Sequence, residues 1–266
     1  MQYWHWLAVV SLVFLVLERL RPARAAQGTV RPEVANDLAY LVFNGHLWAV
    51  VTAGIVGWFA ARADGALDAA SLLPARTALA DRPFWVQFLV YLVVSDFLQW
   101  CVHVLLHRVP FLWTFHKVHH AAPVLDWMAN FRFHWMELVV YRSLLYVPLL
   151  WLGGDPAPLF AVAVFATAWG HFNHANLDVG IGRLGYVFNS PRMHLWHHDA
   201  SDEGGKAKNF GIVLSAWDWI FRTAHWPRDR APARIGYPGD RDMPRDWLRQ
   251  ELFPLTRRRD VPEETA

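Results

Sequence analysis

Apolar residues in this chain gather into long runs instead of recurring along one narrow helical stripe. The runs span Tyr3 to Leu20, Leu38 to Ala61, Phe84 to Leu106, Met136 to Leu152 and Pro158 to Gly170. A helix needs about 20 apolar residues to cross the hydrocarbon core of a bilayer, and all but the last run meet or approach that length. The last is short and fits a re-entrant segment or one arm of a hairpin. The pattern predicts an all-α integral membrane protein with about four to five transmembrane or re-entrant helices. Several tryptophans sit near run ends (Trp4, Trp6, Trp58, Trp85, Trp151), as in an interfacial aromatic belt.

Composition supports this reading. Of 266 residues, 55% are hydrophobic and 18% charged, which leaves too little polar surface to hide so many apolar helices in a soluble protein. Ala23-Arg24-Ala25 resembles a signal-peptide cleavage site. No Lys or Arg precedes the first run, however, and Glu18, Arg19 and Arg21 separate it from the supposed cut, so a retained anchor is expected. The net charge of +2 argues against an electrostatic nucleic-acid binder. Arg19, Arg21, Arg24 and Arg31 follow the first run with the single acid Glu33, whereas the loop from Arg62 to Arg82 balances arginines with Asp64, Asp68 and Asp81. The positive-inside tendency then places the first loop, and the helix ends that follow from it, in the cytoplasm. The chain divides into membrane anchor (1–95), a chemistry-bearing segment (96–225) and a tail (226–266) with a short helix near Arg245 to Leu252.

The candidate chemistry is histidine. Ten of fourteen histidines fall into four clusters: His103 with His107, His116 with His119 and His120, His171 with His174, and His194 with His197 and His198. Spacings of three and four residues put side chains on one face of a helix turn. Neutral imidazole is a good ligand for first-row metals, and ten such groups exceed one ion's shell and suit two ions in one site. Bis-histidine haem and four-coordinate zinc leave most of the ten unused. A metal transporter predicts ligands spread along helices, whereas these gather at one face, on a helical cytoplasmic cap. The lone Cys101 excludes an intrachain disulfide and a Cys-bound iron–sulfur site, and reads as a packing residue. Gly180-x-Gly182-x-x-Gly185 matches a dinucleotide fingerprint by letter, but without room for a βαβ unit it is expected to be a turn.

The flanking residues extend the pattern. Asp96 to His103, His107-Arg108-Val109-Pro110-Phe111-Leu112-Trp113-x-x-His116-Lys117-Val118-His119-His120, Arg132-Phe133-His134-x-x-Glu137, His174-Ala175-Asn176, Ser190-Pro191-x-x-His194-x-x-His197-His198, Asn209-Phe210-Gly211 and Trp217-Asp218-x-x-Phe221-x-Thr223 occur in order. Over Asp96 to Thr223 the chain resembles the fatty acid hydroxylase/sterol desaturase superfamily of integral membrane non-haem di-iron enzymes. The resemblance implies that His103, His107, His116, His119, His120, His194, His197 and His198 hold two irons, with His171 and His174 completing the shells. It departs from the family at Val104, Trp135 and Leu195, which leaves substrate class open.

Ligand histidines usually donate their second N–H to a carboxylate or carbonyl. Asp96, seven residues before His103, is expected to take that role. Glu137, three residues after His134, is expected to brace the site together with it, and His134 is itself a ligand, a proton relay or a structural group. Asn173, Asn176, Asp199 and Asp218 are further candidates, and His5, His46 and His225 are expected to be interfacial or surface groups. The implied activity is O₂-dependent hydroxylation of a membrane lipid, fatty acyl chain or sterol-like substrate. Desaturation or ether-lipid cleavage begins at the same site, and the ligand set does not separate them. Electrons must come from a reductase or a cytochrome b5-like or ferredoxin-like donor, because the chain shows no flavin, haem or iron–sulfur site of its own.

Overall fold

The computed structural model describes residues 2–47, 79–201, 208–253 and 255, and residues 50–62 in part. Its regular elements are helical, and among the described residues there is no strand beyond two isolated bridges. The main helices are α1 (Tyr3–Leu20), α2 (Val34–Val42), α3 (Phe84–Arg108), α4 (Pro110–His120), α5 (Trp135–Trp151) and α6 (Pro156–His174). Shorter ones follow: α7 (Pro191–His197), α8 (Ala216–Ile220) and α9 (Trp247–Leu252). Helices α1 and α3 are long and apolar enough to cross a membrane by length and composition.

Three of the expected runs map closely onto α1, α3 and α5. The last run corresponds to α6, a helix of 19 residues joined to α5 by a short turn. In the run from Leu38 to Ala61, α2 ends at Val42 and passes into a π-turn, Phe43–Leu47. Residues 63–78, which hold most of the expected outer loop, lie outside the described residues. Gly182–Tyr186 forms a 3₁₀ turn with no strand before it.

Helices α3, α5 and α6 make the bundle that carries the site. Gln87 near the start of α3 accepts from the Asp155 amide at 2.7 Å and donates to Asp155 Oδ2 at 2.7 Å, at the turn between α5 and α6. The Tyr91 hydroxyl accepts from the Gly154 amide at 2.9 Å. A Cβ at Gly154 would sit 2.6 Å from that hydroxyl, so the close approach of turn and helix requires glycine. This contact fixes direction. The start of α3 lies against the α5–α6 turn, so its C-terminal histidines lie beside the start of α5 and the end of α6.

Polar pins accompany apolar packing at the other end of the bundle. Arg31 pairs with Asp37 at 2.5 Å and with Asp126, while Arg132 pairs with Asp37 and, at 2.6 Å, with Glu33. Arg31, Arg132, Asp37 and Asp126 are all buried. The buried Glu18 accepts from the backbone amides of Trp127 (3.0 Å) and Asn176 (2.8 Å), tying α1 to the segments after α4 and α6. The C-terminal segment is docked as well: Gln250 accepts from Asn36 and Tyr40 at 3.0 Å each, and Glu251 accepts from Asn44 (2.6 Å) and the Trp135 amide (2.9 Å).

Removing one partner from a buried charge network strands the other. Arg132→Ala is expected to destabilise the protein by about 3–5 kcal/mol, visible as a markedly lower melting temperature in detergent. An unchanged melting temperature would show that the network contributes no stability.

Candidate metal centre

The histidines come from the ends of four helices. Helix α3 supplies His103 and His107 from its last turns, α4 supplies His116, His119 and His120, α6 supplies His174, and α7 supplies His194 and His197, with His198 as its C-cap. Ser190 starts α7 by accepting from the Met193 amide, and Pro191 occupies its first turn, so a helix of only seven residues is held in place.

These side chains form two groups, and each group places its four ligand nitrogens within 4.8 Å of one another. One comprises His103, His107, His116 and His197, and the other His119, His174, His194 and His198. The sequence clusters are therefore split. His116 and His119 share a helix yet enter different groups, and so do His197 and His194. His120 stands between: its Nε2 lies 3.2 Å from His107 Nε2, and its ring centroid lies 4.5 Å from that of His198.

The nitrogens are presented bare. His103 Nδ1 donates to the Phe210 carbonyl (2.8 Å), His197 Nδ1 to the Lys208 carbonyl (2.7 Å) and His116 Nδ1 to Glu137 Oε1 (2.8 Å). The Nε2 of each of these three is buried without a hydrogen-bond partner among the described residues. In the second group, His174 Nδ1 donates to the Gly170 carbonyl (2.8 Å). Its Nε2 lies 3.2 Å from His119 Nε2 and 3.0 Å from His194 Nε2, and His198 Nε2 lies 3.2 Å from His194 Nε2. First-row ions hold imidazole nitrogen at about 2.0–2.1 Å, so two nitrogens on one ion stand roughly 3.0–3.4 Å apart. The donor set and its spacing fit one metal per group. Burial first, and the neighbouring imidazoles after it, hold His198 well below the usual histidine range, which keeps it in the neutral form a metal binds.

The two carbonyls that receive His103 and His197 belong to one irregular segment, 208–214, and buried carboxylates pin it. Asp218 accepts from the amides of Phe210 (2.9 Å) and Gly211 (2.8 Å), from Trp100 Nε1 (3.0 Å) and from Thr223 Oγ1 (2.6 Å). Asp96 accepts from the amides of Val213 (2.8 Å) and Leu214 (3.0 Å) and from Trp217 Nε1 (2.9 Å). Asn173 donates to the Ile212 carbonyl at 2.7 Å. Asn209 sits at φ 56°, and its side chain bridges Met193 and His225. A Cβ at Gly211 would lie 2.4 Å from the Leu214 carbonyl oxygen. Asp96 and Asp218 thus reach the imidazoles through backbone and not by direct contact.

Glu137 braces the site at His116, accepting from its Nδ1, while other candidates land elsewhere. His134 Nδ1 accepts from the Met136 amide at 3.0 Å. Asn176 exchanges hydrogen bonds with Arg24 backbone, at 2.9 and 3.1 Å. Asp199 lies 3.4 Å from Lys208 Nζ. The structure does not bring His171 to either group. Its Nδ1 donates to the Thr167 carbonyl (3.0 Å), its Nε2 meets Ser11 Oγ (3.2 Å), and its ring stacks on Trp127. A three-residue step before His174 turns it about 60° around the helix, enough to aim it at α1. His5 stacks on Trp4, His46 is half-buried, and His225 packs edge-on against Trp196. Sequence reading missed the carbonyls of Phe210 and Lys208. Their only signal is the Asn209-Phe210-Gly211 motif, in which no side chain displays the role.

Comparison with known proteins gives this architecture a class. A model of the fatty acid hydroxylase family matches residues 88–223, a span that holds every histidine of both groups, and the chain belongs to that family. Membership makes it an oxidoreductase. It is 30% identical over 256 residues to the ornithine lipid hydroxylase OlsE of Rhizobium tropici, covering 95% of this chain and 75% of that protein. It is 26% identical to the alkylglycerol monooxygenase of Caenorhabditis elegans and 25% identical to that of Homo sapiens, over 59% and 58% of this chain. It spans about a third of the length of those two, 30% and 34%. No solved structure matches significantly.

The geometry separates ligands from bystanders. His194→Ala is expected to lower the metal retained after chelator dialysis, whereas His171→Ala leaves it unchanged. Asp218→Ala touches no histidine, yet is expected to weaken metal binding about 10–100-fold by releasing the Phe210 carbonyl. Undiminished metal in the Asp218 variant would refute that route.

Proposed function

We propose that this chain is an O₂-dependent di-iron hydroxylase of a membrane lipid, anchored by several crossings with its site at the cytoplasmic face. In this reading residues 96–225 are the catalytic unit, 1–95 the anchor and 226–266 the tail. One observation carries it: a cavity of about 730 Å³ whose wall includes His103 and His116 from one group and His119, His174 and His194 from the other. The rest of the wall is mostly apolar, with Leu145, Leu149, Leu159, Phe160, Val162 and Ala166 from α5 and α6. A cavity of this size suits one chain or one small moiety of a lipid. It also presents that moiety to both histidine groups at once.

Two irons, held by His103, His107, His116 and His197 and by His119, His174, His194 and His198, would supply the O₂-reducing chemistry that a C–H hydroxylation needs. Overall, substrate, O₂, two electrons and two protons give the alcohol and water. The chain's own residues ligate, orient and exclude water. The carbonyls and Glu137 Oε1 hold the rings, and the leucines of α5 and α6 keep the reacting carbon in a dry channel. Glu137 also lines the cavity, and its Oε2 makes no hydrogen bond among the described residues, so it is the atom that holds or passes a proton beside His116. The likeness to the ornithine lipid hydroxylase extends over nearly the whole chain and favours a lipid of that general kind. Ether-lipid cleavage is the second reading, supported by matches that cover little more than half of the chain. A transport role fits less well, because the ligands gather at one end of the bundle.

The test is turnover of membrane lipid extract by the iron-loaded chain with dithionite and O₂. A product heavier by about 16 mass units is expected, and a loss of about 2 would mean desaturation. His119→Ala and His197→Ala are expected to abolish turnover while His5→Ala retains it, and equal rates in all three would refute the assignment. Ala166→Trp, which fills the cavity, is expected to cut lipid turnover at least about tenfold while iron content stays unchanged. Full turnover in that variant would place the substrate elsewhere.

A further inference from the structure

Asn173 and His174 line a second cavity as well, and its wall is far more polar than that of the first. This groove of about 800 Å³ is built from the polar segments beyond the helix ends: residues 121–125 after α4, 175–178 after α6, the first turns of α7, and part of 228–245. Seven arginines line it against three aspartates. The whole chain carries only +2, so the groove concentrates a cationic excess that the rest of the chain does not share. Arg192, Arg228, Arg230, Arg234, Arg241 and Arg245 are exposed. Several are held in place: Arg234 by Asp240 (2.6 Å), Arg192 by Asp178 (2.8 Å), Arg245 by Glu33 (2.9 Å) and Arg228 by the Tyr186 hydroxyl (3.1 Å). Such a fixed, exposed cationic rim steers and orients a partner of opposite charge.

The wall of the groove leads straight to the metal centre. His174 belongs to the second histidine group, and Leu195 and Trp196 sit in α7 between His194 and His197. Trp196 is 1% exposed, and the Arg230 guanidinium lies 6.0 Å from its ring centroid. One imidazole therefore faces the apolar cavity on one side and the arginine-lined groove on the other. The reaction proposed above consumes two electrons per turnover, and a chain with one cysteine carries no iron–sulfur cluster to supply them. Substrate already has its own apolar cavity, which leaves the cationic groove for a water-soluble reactant. We infer that this groove docks a small acidic one-electron carrier protein and brings its redox centre up to His174. Two carriers are each oxidised by one electron per turnover, and the electrons end in the alcohol and water. The inference rests on the hydroxylase reading.

The test uses the full iron-loaded chain in zwitterionic nanodiscs, with an acidic plant-type [2Fe–2S] ferredoxin as probe. Binding is expected at low salt and is expected to weaken at least tenfold between about 20 mM and about 200 mM salt. The combined variant Arg228→Glu, Arg230→Glu and Arg241→Glu is expected to lose at least about tenfold in affinity at low salt. The same three positions changed to Lys keep it, and so does Arg82→Glu at the far end of α3. No binding by the unaltered chain, equal binding by the Glu variant, or equal loss in the Lys variant would overturn the inference. So would a Glu variant that binds ferredoxin normally but no longer binds phosphatidylglycerol vesicles, which would give the groove to a lipid headgroup. Dithionite in place of ferredoxin separates the two proposals. A chain that binds ferredoxin as expected but never oxidises lipid with either reductant would sink the hydroxylase reading and leave the docking surface standing.

Discussion

A buried imidazole has two nitrogens to satisfy, and most of this protein is arranged around that demand. At His103, His116 and His197 one nitrogen is spent on a fixed acceptor, which leaves the other bare and aimed inward. Two of the three acceptors are carbonyls of a segment with no regular structure of its own. Asp96 and Asp218, together with Asn173, hold that segment. The ordering therefore runs from carboxylate to backbone to imidazole ring. Each step takes place where water is excluded and a misplaced polar group costs most.

The bundle serves the same end. Pinning α3 to the α5–α6 turn at one extremity sets the helix ends that present histidines at the other. Between the two lies the apolar cavity, walled by the same helices. On the polar side, the segments that follow α4 and α6 form the arginine-lined groove. The two cavities thus reach His174 from different directions, and in the proposed reading lipid and electron donor do not compete for one surface.

Much of this is legible in the sequence because it rests on side-chain identity at helical spacing. The apolar runs mark α1, α3, α5 and α6, and the histidine spacing marks the site, nine of whose ten expected members come together. Reading stops where geometry takes over. Residues i and i+3 on a short helix share a face in projection, yet His116 and His119 divide between two groups because ligands approach α4 from two sides. His171 follows the same spacing rule and faces α1. Asp96 has the right chemistry at the right helical phase, but it acts through backbone amides that no sequence pattern displays. The π-turn at Phe43–Leu47 is hidden for a similar reason: the buried Asn44 within it finds its partner in Glu251, more than two hundred residues away.

The most direct test of the account is X-ray absorption at the iron edge combined with metal analysis on the purified chain. The account predicts about two irons per chain in a nitrogen-rich, imidazole-dominated shell free of sulfur, with an iron–iron scattering path. A single iron, a haem signature or a sulfur-containing shell would contradict it.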